Sequence, residues 1–170
     1  MADRARAFTV VEVLMAVALT AVLLTSIAVA VRSGIQSYTE NERITSMTQA
    51  ARFVLARMMR DVRTADEVDS TATSLTITPP DDGSGVTLIR YEVTGGSLTY
   101  HRVANGSPAD EVLLGPGQAA SVNNFQVDRQ TFLQDEHVLT RSVRAQVTFA
   151  AGGRTMAVTA SADVRRNQKY

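Results

Sequence analysis

Residues 4–31 read RARAFTVVEVLMAVALTAVLLTSIAVAV. From Val13 to Val31, 19 consecutive residues carry no charge. The ~30 Å hydrocarbon core of a bilayer needs about 20 helical residues at ~1.5 Å each, so the run has membrane length. Its many valines are weak helix formers in water. In lipid the backbone must satisfy its own hydrogen bonds, and a helix does so. Thr20, Thr25 and Ser26 can return their hydroxyls to carbonyls one turn earlier. One acid, Glu12, stands where the apolar run begins. A carboxylate in a membrane helix costs roughly 2.5–3.5 kcal/mol near the centre, and less toward the interface. Arg4 and Arg6 are the nearest cations in sequence. The expectation is that Glu12 lacks a good partner within its own chain.

The helical pattern continues past the apolar run. Ile44, Met47, Ala51, Val54, Leu55, Met58 and Val62 recur at three- and four-residue spacing, with Arg43, Gln49, Arg52, Arg57, Arg60 and Asp61 among the intervening positions. This is an amphipathic helix whose apolar stripe needs a covering surface. Gly34 is the one strong breaker between Phe8 and Ala65, and all four prolines lie later. One glycine costs only ~1 kcal/mol. The reading is a single helix of about 55–60 residues, roughly 85 Å long.

Beyond residue 70 the apolar period changes from 3.6 to 2. Val143, Ala145, Val147 and Phe149 alternate with Arg144, Gln146 and Thr148. After Gly152-Gly153, the residues Met156, Val158, Ala160, Ala162 and Val164 alternate with more polar or smaller ones. This predicts a hairpin with one buried face. A second hairpin, VTLIRYEVTGGSLTYHRV, turns at Gly95-Gly96, which supplies the positive φ such turns need. Shorter strands are expected at 74–78, 111–114 and 125–128. PPDDGSG (79–85) and ANGSPAD (104–110) read as loops by composition. The fold class is therefore α+β, a long amino-terminal helix with its apolar stripe laid on an antiparallel sheet.

Composition narrows the function. Seventeen basic residues balance 17 acidic ones, which argues against direct nucleic-acid binding. With no cysteine, thiolate chemistry and cysteine-ligated zinc are excluded. No G-x-S-x-G, P-loop or H-E-x-x-H occurs, and no catalytic residue, cofactor or metal ligand is expected. Met47, Met58 and Met59 read as core filling. Asp81-Asp82-Gly83 reads as a polar turn rather than a cation site. His101 reads as a half-exposed strand residue, and His137 beside Asp135 and Glu136 as a solvated loop residue short of zinc ligands.

The short charged leader MADRARA, followed by FTVVEVLMAVALTAVL, resembles the prepilin-type signal of type IV pilins and type II secretion pseudopilins. Ala7 stands where that family usually has glycine. The resemblance implies cleavage by a prepilin peptidase between Ala7 and Phe8, and methylation of the new amino terminus at Phe8. Glu12 then becomes the fifth mature residue and faces the amino terminus of a neighbouring subunit, acting in assembly. An unpaired charge in a low-dielectric site is costly, and pairing relieves it. AARFVLARMMRDVRTADEV and SADVRRN are similar to the minor pseudopilin J and minor pilin W group. The implied layout is a leader at 1–7, a transmembrane helix half at 8–31, an amphipathic half at 32–66 and a β-rich periplasmic head at 70–170. The implied role is a non-enzymatic structural subunit of a secretion or pilus-like filament in the inner membrane. Its implied partners are other pilin-like subunits, the prepilin peptidase, the assembly platform and membrane lipid.

Two other readings fit parts of the same stretch. AVAV at 28–31 offers a signal-peptidase-like site ending at Ala30, although the apolar run exceeds the usual 7–15 residues. Alternatively, the helix is a plain single-pass anchor for a β-rich binding module that does not polymerise, with Glu12 snorkelling to the interface.

Overall fold

A computed structural model describes residues 9–116, 121–134, 137–151 and 154–165. Helix α1 runs from Val10 to Thr64 without a break and passes straight through Gly34. It is 55 residues long, at the lower edge of the predicted range. Arg63 lies in its last turn, where a cation complements the helix dipole. The carbonyl of Arg63 also accepts a hydrogen bond from the backbone N–H of Arg165. The chain divides into two compact units, one ending at Glu42 and the other beginning at Arg43.

In the first unit the large apolar side chains of α1 are exposed, including every valine, leucine and isoleucine from Val13 to Val31. Thr20 Oγ1 donates to the Ala16 carbonyl at 2.7 Å. Thr25 and Ser26 both donate to the Val22 carbonyl, at 2.8 and 2.9 Å. These hydroxyls thus spend their hydrogen bonds on the helix itself, which keeps its surface apolar.

The second unit holds the remainder of α1 and eight strands: β1 (Glu67–Ser70), β2 (Ser74–Thr78), β3 (Val86–Thr94), β4 (Ser97–Ala104), β5 (Ser107–Leu114), β6 (Ser121–Gln134), β7 (His137–Ala151) and β8 (Arg154–Asp163). They form two antiparallel sheets, β1-β2-β3-β4-β5 and β6-β7-β8, where a single sheet was expected. The break between them falls after Leu114, at Gly115-Pro116, where proline cannot supply a ladder donor. Val122 N–H donates to the Gly96 carbonyl at 2.8 Å and ties the start of the second sheet to the β3–β4 turn.

Six residues of the expected α1 stripe, Met47, Ala51, Val54, Leu55, Met58 and Val62, are buried in the core, Ile44 is half-covered against it, and Met59 joins them. They share it with Leu75, Ile77, Tyr91 and Leu98 of the larger sheet, and with Val143, Ala145, Val147 and Phe149 of the smaller. Strand β7 alternates as read, with Arg144 exposed between buried neighbours. A bulge between Val122 and Asn124 shifts the phase of β6, so Val122 and Phe125 both reach the core despite their odd spacing.

Three expectations about strands are corrected. ANGSPAD is not a loop throughout: only Asn105 and Gly106 turn, and Ser107 to Asp110 already belong to β5. Both turn residues have positive φ, 50° and 75°, as a two-residue Asn-Gly hairpin requires. Pro108 is tolerated because β5 lies at the sheet edge. The strands expected at 111–114 and 125–128 are parts of the longer β5 and β6. Strand β1 had no sequence signal, because EVDS is short and mostly charged or polar. The β2 and β3–β4 assignments stand, and Gly95 and Gly96 have φ of 59° and 78°. The Gly152-Gly153 turn lies outside the described residues.

Candidate functional site

Ala7 and Phe8, the residues of the expected cleavage, lie outside the described residues, as do Arg4 and Arg6. Thr9 and Glu12 are described, and they meet. Thr9 is the last non-helical residue and Glu12 the third helical one. The backbone N–H and the hydroxyl of Thr9 donate to Glu12 Oε2 at 3.2 and 3.3 Å. The Glu12 N–H donates back to Thr9 Oγ1 at 3.2 Å. This is a reciprocal capping box, which satisfies two backbone donors that a helix start otherwise leaves open.

The capping box corrects one expectation. Glu12 does have partners in its own chain, though they are dipoles rather than a cation. Its carboxylate also sits at the positive end of the helix dipole, a favourable place for an anion. Sequence reasoning missed Thr9 as a partner. The signal was present in T-x-x-E before an apolar run, a known signature of a helix start.

Glu12 heads a shallow groove along one face of α1, lined by Val13, Ala16, Val17, Thr20, Ala21 and Leu24. The groove exists because Ala16, Thr20 and Ala21 are small. The face therefore combines an anion, a shallow depression and apolar flanks. Chemically the Glu12 carboxylate can accept a cation or further hydrogen-bond donors.

The head holds polar clusters of a different kind. Arg57 lies over the Tyr100 ring, 4.0 Å from its centroid, and reaches Glu111 at 3.2 Å. Tyr91 donates to Asp61 Oδ2 at 2.7 Å and packs against Tyr100 with ring centroids 5.3 Å apart. Burial first, and the hydrogen bond to Asp61 second, push the Tyr91 phenol well above its ordinary value. These contacts tie α1 to β3, β4 and β5. Arg129 joins β6 to β1 through the Val68 carbonyl at 2.7 Å and Asp69 at 3.1 Å.

The residues singled out for other chemistry take ordinary places. Met47, Met58 and Met59 are buried in the core. Asp82 accepts from the Ser84 N–H at 2.9 Å and Gly83 has φ 79°, so the Asp81–Gly83 stretch is a polar turn. His101 is half-buried on β4, with Nδ1 2.7 Å from Asp110 and Nε2 3.7 Å from Glu92. His137 opens β7, and its acidic neighbours 135 and 136 lie outside the described residues. Among the described residues no group of three histidines or acids could hold a metal ion.

One helix, α1, is long and apolar enough among the described residues to cross a membrane. No family model, curated protein or solved structure matches the chain.

Proposed function

We propose that the chain is a structural subunit of a pilin-like filament, of the type II secretion or type IV pilus kind. A prepilin peptidase cuts it between Ala7 and Phe8 and methylates Phe8. It is held in the inner membrane by α1, with the β-rich head in the periplasm. Other pilin-like subunits and the assembly platform are its partners. The observation that carries this reading is the first half of α1. A membrane-length apolar surface is left bare there, and its one acid stands at its start. Helices in lipid gain no hydrophobic drive toward each other, so close packing and polar contacts must set their register. The Glu12 carboxylate, paired with the amino terminus of a neighbouring Phe8, supplies such a contact.

A second reading is favoured by the capping box. If Thr9 already satisfies Glu12, the acid needs no neighbour, and α1 is an anchor for a binding module that does not polymerise. The mass and amino-terminal sequence of the mature protein test the processing step. Methyl-phenylalanine at Phe8 is the expected result. A start at Val31 would make the apolar run a signal peptide, and an uncut Met1 would leave a plain anchor.

A further inference from the structure

In the unit that ends at Glu42, charges are few and their spacing is informative. Among its described residues the charged side chains are Glu12, Arg32, Glu40 and Glu42, so Arg32 is the one cation. Arg32 follows Glu12 by 20 positions on an unbroken helix. That is roughly 30 Å of helix, the thickness of the hydrocarbon core of a bilayer. None of the most apolar stretch of α1 is buried. With α1 near the bilayer normal, Glu12 and Arg32 therefore stand at opposite boundaries of the hydrocarbon.

The apolar surface does not stop at Arg32. Val31, Ile35 and Tyr38 follow at four- and three-residue spacing and share one face of the helix. Ile35 is 60% exposed and Tyr38 72%. Ser33, Gln36, Ser37 and Thr39 make the rest of this segment polar. Tyr38 is the single aromatic residue of the unit among the described ones. Its backbone lies about 9 Å beyond that of Arg32. The headgroup layer is only about 5–8 Å deep on each side of the hydrocarbon. Helical side chains lean toward the helix amino terminus, here toward the apolar run, and that lean brings the phenol ring back into the layer. A ring with an apolar body and a polar tip suits this depth. The Arg32 stem can stay among acyl chains while its guanidinium, a fork of donors, meets a phosphate.

We infer that Arg32 and Tyr38 form a phospholipid-headgroup contact that fixes the depth of α1 in the bilayer. The guanidinium binds a lipid phosphate, and the phenol lies at the level of the headgroups beside it. The inference rests on α1 crossing the membrane, and it applies to a filament subunit before assembly and to a plain anchor alike.

The chain has no tryptophan, so one introduced indole reports depth without background. The full-length chain carrying Tyr38→Trp, or separately Leu23→Trp, is placed in phosphatidylcholine–phosphatidylglycerol vesicles at high lipid excess. Bromine at successive acyl-chain positions, a nitroxide on the headgroup and aqueous iodide serve as quenchers. For Tyr38→Trp the headgroup nitroxide is expected to quench most. For Leu23→Trp, near the middle of the run, chain-end bromine is expected to quench most. Adding Arg32→Ser and Tyr38→Ser to the Leu23→Trp chain should shift its quenching maximum by at least one bromine position. Quenching of Tyr38→Trp mainly by iodide or by deep bromine, or an unshifted maximum in the combined variant, would overturn the contact and leave the membrane span standing. Quenching of Leu23→Trp by iodide and not by bromine would overturn the span, and the contact with it.

Discussion

Tyr91 shows what a single residue holds in place. Its ring is wholly buried, and its hydroxyl reaches out of the core to Asp61 on α1. Tyr91→Phe removes that hydrogen bond and should cost about 1 kcal/mol by denaturant melting. The pH dependence has a definite sign. The folded state raises the phenol above its unfolded value of about 10, so it favours the neutral form. That contribution is fully present below pH about 10 and is lost as pH rises further. The wild type should therefore weaken more steeply than Tyr91→Phe between pH about 10 and 11. Parallel curves would show that the phenol does not act this way. The strand that carries Tyr91 was legible as half of a hairpin; its hydrogen bond was not, because Asp61 is thirty positions away. Thr9 and Glu12 are the reverse case. Their three-residue spacing spells out a cap, and it is overlooked when Glu12 is weighed solely as an acid in lipid.

At the scale of elements, what was legible was whatever had a clear period. The helix, the β3–β4 hairpin and the β7–β8 alternation follow from spacing alone. Strand β1 and the first half of β5 were not legible, since their residues are mostly polar and their pairing depends on neighbours distant in sequence. The division into two sheets was hidden for a similar reason: alternation reports one buried face, not which strands sit side by side. Two substitutions probe the elements. Gly34 is helical, with open space where a side chain would stand. Gly34→Ala should raise helix stability by about 0.5–1 kcal/mol, read as increased helicity by circular dichroism in micelles. Arg57→Ala removes both the Tyr100 stacking and the Glu111 pair from the α1–sheet contact. Both groups are partly exposed, so a loss of about 1 kcal/mol is expected in thermal melts.

At the scale of the whole molecule, the unit beginning at Arg43 contains every core residue among the described ones. A chain beginning at Arg43 should therefore fold in water without detergent, with mixed helix and strand signals in circular dichroism. An all-helical spectrum would contradict the two-sheet head. The bare apolar surface of the preceding unit is long and apolar enough to cross a membrane. Whether Glu12 serves the helix start or a neighbouring subunit separates the two readings, and glutamine distinguishes them. Glutamine can still accept from the Thr9 N–H in a capping box, but it carries no charge. The most direct measurement is the amount of Glu12→Gln subunit recovered in sheared filaments, beside wild type and Glu12→Ala, with Phe8 processing confirmed in each. A charge-dependent docking predicts that glutamine is excluded as alanine is. Recovery of Glu12→Gln at the wild-type level would contradict the account and leave Glu12 as a helix cap on an anchor.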